Sequence, residues 1–151
     1  MMKSGILLPL VAGAALLAGP SCTGWPRGWQ RAKALPDQTG PGGAWTGTWH
    51  SIPTGHTGQL RCAVFPKEGQ RWQYRYRATW AKVFCAGFNV ECAATPLPNG
   101  RWQIIGQRDL GPVFGGVFTH QGTITDDRLE ATYQAAGDHG TLTLRRLELI
   151  P

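Results

Sequence analysis

From residue 44 onward the chain alternates between apolar and polar positions with a period of two, and turn-forming residues interrupt the alternation at short intervals. The stretch 72–80 shows it most clearly: Trp72, Tyr74, Tyr76, Ala78 and Trp80 alternate with Gln73, Arg75, Arg77 and Thr79. Successive side chains of a strand point to opposite faces, so this pattern gathers the rings on one side. A helix would scatter them around its circumference. Seven other stretches carry a strand signal, at 44–51, 59–65, 82–92, 101–107, 114–124, 128–134 and 141–147. Between them lie groups rich in Gly, Pro, Asn and Asp at 53–58, 66–69, 94–100, 111–112, 126–127 and 136–140, which is turn chemistry. Connections this short make sequential strands antiparallel neighbours. The pattern therefore predicts an all-β fold, an eight-stranded antiparallel up-and-down meander that closes into a barrel and so removes both open edges.

The residues ahead of the barrel read differently. Lys3 precedes an apolar run over 6–18, and Gly19-Pro20-Ser21 follows it. Charged, then apolar, then small is the order of a secretory signal, and the run is too short to span a membrane. Residues 1–21 are therefore expected to be a signal peptide. Residues 22–43, with Pro26, Pro36 and Pro41, are expected to be an irregular linker or tether, with helix-tolerant residues at 29–35. That leaves a single β-barrel domain over 44–148. The expected localisation is outside the cytoplasm, in the periplasm or cell envelope, or secreted. Cys22 follows the apolar run in the manner of the lipobox of bacterial lipoproteins, which it resembles, although Gly19 and Pro20 depart from the usual box. The resemblance implies a lipid anchor on Cys22.

Composition fits this picture. The chain has 151 residues, enough for one domain, with 21 Gly, 7 Trp and only 16% charged residues, a mixture suited to a barrel. The net charge of +6 is spread along the chain. Arg61, Arg71, Arg75, Arg77 and Lys82 group on the second and third strands and their flanks. They suit either an anionic envelope component or an ordinary solvated exterior. Export disfavours nucleic acid as the partner.

The four cysteines are Cys22, Cys62, Cys85 and Cys92. With Cys22 lipidated one cysteine is left over; with Cys22 free, two bridges are possible. Cys85 and Cys92, seven apart on one strand, point to opposite faces and cannot pair with each other unless the chain reverses near Gly87. A Cys62–Cys92 bridge and buried unpaired thiols both remain open. The cysteine and histidine spacings fit no metal site, and no cofactor is expected.

Catalytic chemistry is not evident. Asp138-His139 falls in an expected turn, and His50 and His56 flank another, but no nucleophile–base pair can be named. The inward row Trp72, Tyr74, Tyr76 and Trp80, with Phe84 and Phe88 of the next strand, either fills the barrel or lines a ligand cavity; the two readings compete for the same space.

Gly43-Ala44-Trp45-Thr46-Gly47-Thr48-Trp49 holds two Gly-x-Trp units on the first strand, and Arg145-Arg146 lies on the last. In these motifs the chain resembles the calycins, the superfamily of lipocalins, fatty-acid-binding proteins and avidins. The resemblance implies that Gly47-x-Trp49 (or Gly43-x-Trp45) packs against Arg145 or Arg146, the guanidinium covering an indole at one barrel end. Biotin is not implied, because the ligand-contacting residues of avidins have no counterparts here. The chain also resembles small exported barrel-shaped protease inhibitors, without their N-terminal inhibitory segment. The expected function is a non-enzymatic exported envelope protein whose barrel binds a small apolar ligand or an envelope component. The alternative is a pocketless interaction or structural barrel.

Overall fold

The computed structural model describes residues 24–36, 40–80, 84–114 and 116–148, and for Phe84 and Phe114 the backbone alone. The expected signal peptide and Cys22 lie outside the described residues. A five-residue helix, α1 (Trp29–Lys33), precedes eight strands: β1 (Gly43–Ser51), β2 (Thr57–Pro66), β3 (Arg71–Trp80), β4 (Phe84–Pro96), β5 (Trp102–Asp109), β6 (Val117–Thr125), β7 (Arg128–Ala135) and β8 (Asp138–Arg146). Each strand pairs antiparallel with the next, and β8 returns to β1 to close the barrel.

The period-two pattern decides which side of the wall faces in. On β7, Leu129, Ala131 and Tyr133 are buried while Arg128, Glu130, Thr132 and Gln134 are exposed. Apolar-in and polar-out is the reverse of a barrel whose outer wall meets lipid. No helix among the described residues is long and apolar enough to cross a membrane.

Several strand boundaries differ from expectation by one to four residues, and two of the shifts bear on the barrel's ends. β4 runs on to Pro96, its last residues paired with β5 from Ile105 to Trp102. β8 begins at Asp138, inside the stretch 136–140 expected to be a turn. The connection is only Ala136-Gly137, with Gly137 at φ 76°, a two-residue hairpin whose glycine supplies the left-handed backbone such loops need.

The segment expected to be an irregular tether is, over 24–36, docked on the barrel wall. Trp29 and Ala32, three apart on one face of α1, bury themselves against the outward-facing Ala44, Ala63 and Phe65. Those three apolar residues break the polar rule for the barrel exterior, and α1 is what they meet. Arg61 donates to the Gly24 carbonyl at 2.7 Å and lies over the Trp25 ring at 4.1 Å. Arg75 donates to the Arg27 carbonyl at 3.3 Å and lies 4.9 Å from the Phe65 ring centroid. Two of the arginines grouped in the sequence therefore hold this strap down.

Candidate ligand site at the barrel mouth

The barrel has a sealed end and an open one. At the sealed end Arg146 enters the interior from β8, and its guanidinium lies 4.4 Å from the Trp45 ring centroid. It donates to the carbonyls of Gly42 and Gly40, each at 2.7 Å, while the Trp45 indole donates to the Pro41 carbonyl at 3.0 Å. Gly40 also rests against Trp72 and Trp102. The loop before β1 is thus pulled across the opening and pinned there.

The closure therefore belongs to Gly43-x-Trp45 and Arg146. This corrects the expectation that named Gly47, Trp49 and Arg145 beside Arg146. Arg145 faces outward and pairs with Asp127 at 3.2 Å. Trp49, four residues further along β1, lies at the opposite end and donates to the Thr79 carbonyl at 3.4 Å. Both Trp45 and Trp49 face inward, but four residues of strand separate them by about 13 Å. Gly47 has a different role: a Cβ there would stand 1.9 Å from the Thr143 carbonyl oxygen and 2.8 Å from Leu144 Cα. Backbone cannot yield that space, so glycine is what lets β1 and β8 approach.

Above the closure, the middle of the barrel is filled. Tyr74 and Tyr76 are buried and stacked 6.0 Å apart, and both meet His120 edge-on. His120 Nε2 is 3.2 Å from Cys92 Sγ. Burial pushes the Cys92 thiol up to about 12 and pulls His120 down to about 4. The pair is therefore a neutral thiol facing a neutral imidazole, the opposite of an activated thiolate. The hydroxyls of Tyr74 and Tyr76 and His120 Nδ1 are buried without a hydrogen-bond partner meeting full geometry.

Cys62 and Cys92 are both free and buried, which corrects the Cys62–Cys92 bridge. Cys62 faces Tyr76 across β2–β3, and Tyr76 faces Phe88 across β3–β4. Cys92 is four residues beyond Phe88, about 13 Å along the strand, so the two backbones are too far apart for a disulfide.

At the open end Phe88 and Phe118 meet edge to face at 5.1 Å, and Phe118 stacks on Tyr133 at 5.8 Å. Over this floor opens a cavity of about 210 Å³ lined by Trp49, Leu60, Ala78, Trp80, Phe88, Phe118, Tyr133, Asp138 and Leu142. Its one charged group is bound at the rim. Asp138 accepts from the Ser51 hydroxyl at 2.6 Å and from the Tyr133 hydroxyl at 3.1 Å, and Thr54 donates to Ser51 at 2.8 Å. What remains facing the cavity is ring and aliphatic carbon. A wider groove of about 710 Å³ crosses the outside of β5–β7, between solvent-facing Gln107, Gln121, Thr132 and Gln134. Its lining mixes polar and apolar surface, whereas that of the mouth is almost wholly apolar, so the mouth is the better site for an apolar molecule.

Of the side chains expected to line a ligand, Trp80 and Phe88 reach this mouth. Tyr74 and Tyr76 lie in the filled middle, Trp72 lies at the sealed end, and the side chain of Phe84 is outside the described residues. Leu60, Phe118, Tyr133 and Leu142 join the mouth from strands whose inward positions the period of two marks, but only the register tells which of them sit at the open end. Asp138, first read as a turn residue, is brought there by the two-residue hairpin. Among the described residues no group of three or more His, Cys, Asp or Glu is arranged to hold a metal ion. Compared with models of protein families, with curated proteins and with solved structures, the chain has no match.

Proposed function

We propose that this protein is an exported, non-enzymatic binding barrel whose mouth takes a small apolar molecule or the apolar end of an envelope component. The observation that carries the reading is the 210 Å³ apolar cavity at the one unsealed end. An apolar protein cavity of about 150 Å³ stays dry and binds benzene, whereas drug-sized ligands need about 300 Å³ or more. The size therefore favours a single ring or a short chain. Export is supported by Cys85, which is held in a disulfide, a bond that persists in oxidising compartments. The non-enzymatic reading rests on the neutral Cys92–His120 pair and on a rim whose polar groups are bonded to one another.

A second reading, a pocketless interaction barrel, is favoured by the filled middle, where Tyr74, Tyr76, Phe118 and His120 pack ring against ring. Native mass spectrometry of the protein purified from an exporting bacterium separates the two. The binding reading expects a small adduct released on collisional activation. Only the bare chain mass, together with no saturable uptake of small apolar probes, would leave the pocketless reading standing.

A further inference from the structure

The hydroxyl protons at the rim of the mouth all run one way. A carboxylate only accepts hydrogen bonds, so the two hydroxyls that reach Asp138 donate to it: Ser51 to Oδ1 at 2.6 Å and Tyr133 to Oδ2 at 3.1 Å. Ser51, its own proton spent, accepts from Thr54 at 2.8 Å. Burial, with the Asp138 carboxylate beside it, pushes the Tyr133 phenol up to about 12, which keeps that proton on Tyr133. The nearby amides are committed as well. The Ser51 N–H donates to the His56 carbonyl, that of Ile52 to His139 and that of Gly55 to Ser51, while the Trp49 indole donates to the Thr79 carbonyl. What these groups still offer is acceptor capacity. A carboxylate has about four lone-pair sites, and the Ser51 and Tyr133 hydroxyls fill two of them.

Three strands place the carboxylate there. Ser51 ends β1, Tyr133 lies near the end of β7, and Asp138 begins β8, which pairs with both strands. Ser51 and Tyr133 are buried and fix the carboxylate at the edge of the apolar cavity. Neither is a charged partner. Among the described residues Asp138 forms no ion pair, and no Lys, Arg or His lines the mouth. A negative charge thus stands at the edge of an apolar cavity with no cation bonded to it.

We propose that the mouth selects a molecule whose apolar end carries a positively charged, hydrogen-bond-donating head, an alkyl- or arylammonium, and that Asp138 receives that head. This deepens the binding reading and rests on it. The chain or ring lies over Phe88 and Phe118, and the ammonium stays at the rim, where it donates to the carboxylate while keeping part of its water. A neutral hydroxyl head donates there more weakly, because charge-assisted hydrogen bonds are about twice as strong as neutral ones. A carboxylate head brings a like charge to a rim of acceptors and is rejected. The net charge of +6 acts in the opposite sense, since the overall field attracts anions. A preference for the cation therefore has to come from the site itself.

The test is a titration of the folded full chain at neutral pH with hexylamine, 1-hexanol and sodium hexanoate, which share one alkyl chain and differ in the head. Binding is followed by the indole N–H signals of Trp49 and Trp80, which line the cavity. Hexylammonium is expected to bind tightest, the alcohol about tenfold more weakly and hexanoate more weakly still. Asp138→Asn should bring the ammonium and the alcohol together. Tyr133→Phe, which leaves the carboxylate in place, should keep the parent's order. Hexanoate binding as tightly as hexylammonium, or an order unchanged in Asp138→Asn, would overturn the proposal and leave an unselective apolar site. No saturable uptake of any of the three compounds would remove the binding reading itself, and this proposal with it. The comparison of the three heads on the parent protein decides the matter even if Asp138→Asn does not fold.

Discussion

The Arg146 guanidinium lies 4.4 Å from the Trp45 ring centroid, while Arg145, one residue earlier, faces outward to Asp127. Neighbouring arginines on one strand thus do unequal work. Removing Arg146 strips the carbonyls of Gly40 and Gly42 of a charged donor and uncovers the indole. Arg146→Ala is expected to cost about 3–5 kcal/mol in urea unfolding. Arg146→Lys should recover less than half of that, because an ammonium cannot serve both carbonyls and stack as well. Arg145→Ala should stay within about 0.5 kcal/mol of the parent. Equal losses from Ala at the two positions would contradict this assignment of the closure.

The docking of α1 makes a separate prediction. Trp29 is 5% exposed and packs on Ala44, Ala63 and Phe65. If the strap is part of the folded unit, Trp29→Ala destabilises the barrel by about 3 kcal/mol, read from the urea midpoint. A free tether would give no measurable change.

His120 makes stability depend on pH. Its folded pKa is about 4, lowered by burial from 6.5. As pH falls below 6.5 the unfolded chain takes up the proton first, so stability declines through the window from about 6.5 to about 4. The full loss is up to about 3 kcal/mol. Carboxylates protonate near the lower edge of the same window. The comparison is therefore with His120→Gln, whose pH profile should be flatter between pH 6.5 and 5. Parallel profiles for the two proteins would show that His120 is not held neutral in the fold.

Much of the barrel was legible because a strand's period of two is written residue by residue. β3 and β7 could be read almost to their ends, and closure followed from strand number and short turns. The site was less legible because it depends on register. Trp45 and Trp49 share a face and a motif, and only the pairing of β1 with β8 shows that one seals the barrel while the other lines its mouth. Asp138 looked like a turn residue because Gly137 and Gly140 flank it, yet the hairpin needs only two residues. The docked strap was hidden for another reason. Ala44, Ala63 and Phe65 are single apolar residues in outward positions, and nothing local says that they form one patch.

The central claim, that the unsealed end is a small apolar binding site, is tested most directly by NMR. The indole N–H signals of the tryptophans are followed while 1-hexanol is added to the folded protein. Trp49 and Trp80 line the cavity, and Trp45 at the sealed end serves as the internal reference. The account predicts saturable shifts of the Trp49 and Trp80 signals with Trp45 unmoved. No saturable shift at the mouth, or equal shifts at Trp45 and at the exposed Trp25, would contradict it.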